Sequence, residues 1–210
     1  VDANLIPAKV AYREKIKKTV QAHGRHKKQT GGSGQFGDVW VRFSPQEETN
    51  DLIFDVEVVG GAVPKNFNPA VEKGIQEAIL KGPLAGYPMV GLKAVLYDGS
   101  YHPVDSNEMA FKLAAILSFK EAMPKAAPTL LEPVMSLQVT IPDSYMGDVI
   151  GDLNKRRGRV MGMNPTGDGL QVVEAEVPVG EMSSYAIDLR SMTQGRGFYT
   201  MKFVRYEEVP

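Results

Sequence analysis

Apolar residues recur along the chain in two rhythms, with a spacing of two in some stretches and of three to four in others, and glycine and proline separate the stretches. Val10 to Lys17 alternates as a strand does, and residues 19–29 continue extended with weaker alternation. Four glycines fall within Gly31-Gly-Ser-Gly-Gln-Phe-Gly37 before Asp38–Phe43 resumes as a strand. Ile53–Val59 is a further strand, closed by Gly60-Gly61. Phe67, Val71, Ile75, Ala78 and Ile79 then fall at helical spacing, with Gly82-Pro83 as the stop. Val90–Tyr97 alternates again. After the loop 98–104, Met109, Leu113, Ile116 and Leu117 mark the face of a second helix, with Asp105 and Glu108 spaced as a capping box. Residues 122–129 carry Pro124 and Pro128 without an apolar period and read as a linker.

Beyond that linker the pattern doubles. Leu137–Ile141 is a strand, Asp143 can cap a helix with the face Met146, Val149, Ile150 and Leu153, and Arg159–Met163 is the next strand. After the turn Pro165–Gly169, Leu170–Val177, a helix with the face Met182, Tyr185, Ala186 and Leu189, and Gly197–Tyr206 repeat the order. Asp152-Leu153 before Arg157-Gly158 is echoed by Asp188-Leu189 before Arg196-Gly197. Two consecutive βαβ units predict a ferredoxin-like split βαβ sandwich. The expected class is therefore α+β in two domains. Residues 1–9 form a linking segment, 10–127 one domain and 128–210 the other.

Composition narrows the chemistry. The chain has 210 residues, 43% hydrophobic, and no cysteine, which excludes disulfides, thiolate metal sites and a cysteine nucleophile. That fits a cytoplasmic protein. The longest apolar run, Leu113 to Leu117, is far shorter than the ~20 residues of a membrane span. The first residues lack a signal pattern and do not start with Met, so the chain reads as a piece of a longer one. Charge is nearly balanced overall, with 24 Lys+Arg against 25 Asp+Glu, but unevenly placed. Residues 1–30 hold eight cations (Arg25, Lys27 and Lys28 among them) and two acids, Asp2 and Glu14. A basic segment leading into a glycine loop describes either a phosphate-facing edge or a solvated strand face.

Most candidate constellations fail. Ser100, His102 and Asp105 lie too close along one loop for ordinary triad geometry, and no G-x-S-x-G elbow accompanies them. A hydrolase using Ser100 and His102 is thus a weak alternative. Three histidines, only His23 and His26 of them close together, do not suggest zinc. No G-x-x-x-x-G-K-[ST] occurs, so the chain itself offers no P-loop for GTP. The glycine loop has two readings. It is a hairpin whose glycines supply positive φ, or a mobile tip that approaches RNA closely, with Gln35 as donor and Phe36 as a stacking surface. Lys155-Arg156-Arg157 fits the C-terminal end of a helix dipole, and Trp40, between Val39 and Val41, reads as strand packing.

The motifs Gly31–Gly37, Gly60-Gly-Ala-Val-Pro-Lys65, Leu96-Tyr-Asp-Gly-Ser-Tyr-His-Pro-Val-Asp-Ser106 and Glu108-Met-Ala-Phe111 resemble the fourth domain of bacterial elongation factor G. Leu131-Glu-Pro-Val-Met135, Tyr145–Asn154, Arg156-Arg-Gly158 and Thr193-Gln-Gly-Arg-Gly197 resemble its fifth, and the likeness runs in collinear order from Val10 to Pro210. It implies a fourth-domain unit like the second domain of ribosomal protein S5, followed by a ferredoxin-like unit. It implies a ribosome-binding, monomeric module that promotes tRNA–mRNA translocation by inserting its tip into the A site of the small ribosomal subunit. The partners implied are ribosomal RNA, A-site tRNA–mRNA and the stalk-base protein, with no membrane. Gly31, Gly32, Ser33, Gly34, Gln35, Phe36 and His102 match the two tip loops, with Arg25, Lys27 and Lys28 as a supporting basic edge. No catalytic residue, cofactor or metal is implied for this chain. GTP and Mg belong to a GTPase domain of the parent protein. Ser33 and Phe36 stand where the housekeeping factor commonly has arginine and tyrosine, a likeness to elongation-factor-G-like paralogues. The same architecture also serves ribosome-recycling and ribosome-protection factors.

Overall fold

The computed structural model describes residues 11–29 and 31–210. The linking segment 1–9, the start of the first domain at Val10, and Thr30 lie outside the described residues. Two compact units divide at Leu130/Leu131.

In the unit Arg13–Leu130, strands β1 (Arg13–Lys15), β2 (Val20–Lys28), β3 (Gln35–Pro45) and β4 (Ile53–Val56) precede helix α1 (Asn68–Ala78). Strand β5 (Leu92–Ser100) and helix α2 (Glu108–Ala122) complete it. A four-stranded sheet runs β2-β3-β5-β4, antiparallel except for the β4–β5 pair. The alternation read from sequence holds in β3, where Val39, Val41 and Phe43 are fully buried. The predicted first strand is shorter than expected. Inside it Glu14 is buried, and its carboxylate accepts the backbone N–H groups of Leu84, Ala85 and Tyr87 at 2.8–2.9 Å. Three donors compensate the desolvated charge and tie the 84–87 loop to β1.

Helix α2 does not bury the face that its large residues mark. Met109 and Leu117 are exposed, while Ala110, Ala114, Ala115, Ser118 and Ala122 are buried. The reason is distance. A Cβ on Gly24 of β2 would stand 1.9 Å from the Ala114 carbonyl oxygen, and one on Gly37 of β3 would stand 2.3 Å from that of Ala110. The helix backbone therefore rests almost directly on two strands, and only small side chains fit between them. Ser118 Oγ donates to the Ala22 carbonyl at 2.8 Å across the same seam. Phe111 and Phe119 flank the seam, Phe119 edge-on to Phe43 at 5.9 Å and Phe111 stacked on Phe67 at 4.6 Å. The cap also differs from expectation: Asn107, not Asp105, accepts the Ala110 N–H at 2.8 Å.

The stretch read as a linker is packed. Ala122 closes α2, Met123–Lys125 form a 3-10 turn, and Met123 and Ala126 are buried. The Ala126 carbonyl accepts from the N–H groups of Lys17 and Lys18, both at 3.0 Å.

The unit Leu131–Pro210 follows the doubled pattern. Strand β6 (Thr129–Pro142), helix α3 (Met146–Lys155), strands β7 (Arg159–Pro165) and β8 (Leu170–Pro178), helix α4 (Tyr185–Met192) and strand β9 (Phe198–Glu208) occur in that order. Strands β9, β6, β8 and β7 lie side by side, all antiparallel, as a split βαβ sandwich requires. Leu137, Val139 and Ile141 of β6 meet Val149 and Leu153 of α3 and Tyr185 and Leu189 of α4 in one core. Ala186, expected on the buried face, is exposed, and Met182 lies before the helix. Asp143 opens a 3-10 turn and caps nothing with its side chain.

The helix ends account for part of the sequence echo: Arg157-Gly158 ends α3, whereas after α4 the equivalent positions are Gln194 and Gly195, two residues before Arg196-Gly197. The Gly158 N–H donates to the Leu153 carbonyl at 2.8 Å and that of Arg157 to Asn154 at 3.2 Å, closing α3 as a Schellman turn. The left-handed position is Arg157 (φ 59°), while Gly158 is needed for space, since a Cβ there would meet Val177 at 2.6 Å. Gln194 (φ 54°) takes the left-handed place after α4, and the Gly195 N–H reaches the Arg190 carbonyl at 2.8 Å. Arg156 joins the echoed acids, donating to Asp152 at 2.9 Å and to Asp188 at 2.5 Å. Arg157 grips buried Glu132 with both terminal nitrogens, at 2.9 and 2.8 Å. These arginines are thus fixed cross-links rather than free charges at a helix end. Partial burial opposes the Arg156 charge, but Asp152 and Asp188 together outweigh it and raise its pKa. The Arg157 pKa is raised chiefly by its hydrogen bonds to Glu132.

These contacts set the stability of each unit. Gly24→Ala forces α2 off β2 and lowers unfolding free energy by about 3 kcal/mol, measurable by urea denaturation. Arg157→Ala leaves the Glu132 carboxylate buried and unpaired. It costs about 2–3 kcal/mol in the same assay, although it removes a long side chain from a strained backbone position.

Candidate functional site

Strands β2 and β3 form a hairpin whose last pairs are Lys27 with Phe36 and Lys28 with Gln35. The strand thus starts earlier than Asp38, and Gln35 and Phe36 are ladder residues at the root of the loop. Gly31, Gly32 and Ser33 are exposed beyond it, and a Cβ on Gly31 or Gly32 would meet nothing within 4 Å. Gly32, Gly34 and Gly37 do not take left-handed φ, contrary to the hairpin expectation. Gly34 has a different reason: a Cβ there would fall 2.9 Å from the Asp105 carboxylate. One glycine is shaped by the neighbouring loop, and the two outer ones leave the loop surface bare.

The second loop, between β5 and α2, is stapled to this hairpin. The Phe36 N–H donates to the Asp105 carbonyl at 3.0 Å, and Ser106 Oγ donates to the Phe36 carbonyl at 2.9 Å. Ser106 Oγ also accepts the His102 N–H at 2.8 Å, and the Ser106 N–H returns to the His102 carbonyl at 3.1 Å. Two loops some seventy residues apart in sequence therefore make one tip. Sequence reading marked Phe36 and His102 and missed Asp105 and Ser106 as the fasteners. A serine two residues before a helix carries no distinctive pattern. Tyr101 and Val104 are exposed beside His102, Val104 at 79%.

The His102 ring is oriented by its own loop. Nδ1 accepts the backbone N–H groups of Asp105 at 3.1 Å and Val104 at 3.3 Å. The Asp105 carboxylate also stands 3.6 Å from Nδ1, but two N–H donors aimed at that nitrogen assign it the lone pair. The ring proton then sits on Nε2, which has no partner among the described residues. The side chain, half exposed, presents one hydrogen-bond donor outward. Phe36 lies 6.3 Å from His102, ring to ring, with the Arg25 guanidinium 5.4 Å from its centroid. His26 Nε2 and Gln35 Oε1 are 2.7 Å apart, which occupies the amide oxygen and leaves the amide N–H groups without a partner among the described residues. Lys27 and Lys28 are exposed along the same edge.

Hydrolysis by Ser100 and His102 has no geometry here. Ser100 Oγ donates to Asp38 at 2.5 Å, and His102 Nδ1 faces its own loop. No nucleophile–base contact exists between them. The sequence lacks a P-loop, and among the described residues no three His, Cys, Asp or Glu side chains gather as a metal site. Among them, too, no helix is long and apolar enough to cross a membrane. The arrangement offers a shaped, cation-edged tip with outward donors and a bare backbone.

Comparison with known proteins meets this geometry. The family profile of elongation factor G, domain IV, matches residues 8–127, and that of the elongation factor G C-terminus matches 129–210. A crystal structure of a protein from Thermus thermophilus superposes with a TM-score of 0.89 at 48% sequence identity. The match covers 97% of this chain and 30% of that one, so the chain spans under a third of the length of that relative. With both units matched end to end, the chain belongs to the elongation factor G family, whose domain IV and C-terminal regions it comprises.

Proposed function

We propose that this chain is the ribosome-facing end of a cytoplasmic translational GTPase. Its tip enters the A site of the small ribosomal subunit, where it promotes movement of tRNA and mRNA. GTP and Mg would be held by a GTPase domain elsewhere in the parent protein, and the chain's own residues perform no bond chemistry. The observation that carries this reading is the stapling of the glycine loop to the histidine loop through Phe36, Asp105 and Ser106. A wedge must keep its shape under load, and these bonds fix both loops to the ends of β3 and α2.

The tip is suited to RNA by shape and donor placement. Gly31 and Gly32 bring backbone, free of side chains, against a groove, where phosphate and 2′-OH groups are the accessible features. His102 Nε2–H and the Gln35 amide supply uncharged donors. Arg25, Lys27 and Lys28 add salt-dependent attraction at the flank. Ribosomal RNA and A-site tRNA–mRNA are thus the partners of this unit. The unit 131–210, rich in fixed arginine–carboxylate cross-links, serves as a rigid body for contacts with the stalk base.

In the full-length factor, His102→Ala removes the outward donor and slows single-round translocation about tenfold, the equivalent of ~1.4 kcal/mol. GTP hydrolysis on the ribosome stays unchanged. Gly32→Pro, which stiffens the loop without touching the core, acts in the same direction. Rapid kinetics of mRNA movement measures both, and wild-type translocation rates in both variants would contradict the proposal.

A further inference from the structure

The face of the first sheet turned away from α2 carries an aromatic arrangement separate from the tip. Trp40 of β3 lies directly opposite His23 of β2, their rings 4.6 Å apart and within 10° of parallel. Trp40 is 37% exposed, so it packs into no core, contrary to its reading from sequence. The His23 ring is held in place from below. Its Nε2 contacts the Asp38 carboxylate, whose other oxygen accepts from Ser100 Oγ at 2.5 Å. One position nearer the tip on the same face, Arg25 covers Phe36 at 5.4 Å. A groove of about 460 Å³ runs along the β2 edge past Gln21, His23, Arg25 and Trp40. On its far wall Glu121 and Lys125 neutralise each other, which leaves the guanidinium of Arg25 and the neighbouring ammonium of Lys27 as cations without an ion pair among the described residues.

We propose that this face is a stacking platform for an unpaired RNA nucleotide. A stacked aromatic pair with one ring held in place, an open groove beside it and cations without an ion pair along one side matches a base with its phosphates. A duplex does not fit, because its base faces are already covered. Five residues separate His23 from Lys28, so the platform lies roughly 17 Å behind the tip at ~3.3 Å per residue. A single strand passing the tip can reach it. The platform goes beyond the tip's role and is testable without a ribosome.

Trp40 is the single tryptophan of the chain, so its fluorescence reports on its own surface. Titrating the 210-residue chain with single-stranded hexa-adenylate RNA at low salt should quench that emission saturably, with affinity falling as salt rises. Anisotropy of labelled RNA should show about tenfold weaker binding for Trp40→Leu and for His23→Ala, and near-native binding for Trp40→Phe. A duplex RNA of equal length should leave the emission unchanged. Absence of quenching, equal quenching by the duplex, or undiminished binding by Trp40→Leu would overturn the proposal. Since free RNA is the probe, failure here leaves the translocation outcome for His102→Ala intact, and failure of that assay leaves this one intact.

Discussion

The close approach of α2 to β2 and β3 is the constraint from which the first unit takes its form. Backbone lies nearly on backbone at Gly24 and Gly37, so the helix can neither slide nor rotate without driving a carbonyl into a strand. That seam fixes the start of α2 relative to the end of the β2–β3 hairpin. The loop before α2 is consequently delivered to the loop after β2, and the bonds through Phe36, Asp105 and Ser106 need only fasten what the seam has already aligned. Tip geometry is in this sense a product of core packing that runs from Gly37 beside the tip along α2 to Ser118.

The second unit solves its stability by other means. Its sandwich core is small, and arginines at the helix ends link the repeated halves. Arg157 occupies a left-handed position that glycine usually fills, and the offsetting gain is its two-pronged contact with buried Glu132. On β8, Glu176 is held below its ordinary range by hydrogen bonding to Arg205, with Arg159 adding to the effect. Such fixed pairs neutralise positive charge within the second unit, whereas Arg25 and Lys27 on β2 near the tip have no ion pair among the described residues.

Much of this was legible in the sequence because period and punctuation are local. The doubled βαβ order, the alternation of β3 and the paired glycines at residues 60–61 each depend on a few neighbouring residues. The buried face of α2 was not legible, since the helix carries apolar residues all round and the deciding fact is the absence of a Cβ on two distant strands. The packed run 122–129 was hidden for a related reason: Met123 and Ala126 are buried by tertiary contact without any period. At the site, the glycine loop and His102 stood out by motif. Their fastening by Ser106 and the outward turn of the His102 donor arise from contacts across the fold, as does the exposure of Trp40.

Whether the stapled tip meets RNA can be read by placing a photo-reactive benzophenone side chain at Ser33, exposed at the loop's end, in the full-length factor and irradiating its complex with ribosomes. Cross-links to RNA of the decoding region, or to the tRNA–mRNA held there, are the expected outcome. Cross-links confined to ribosomal proteins, or none above those of a surface control position, would contradict an RNA-facing tip.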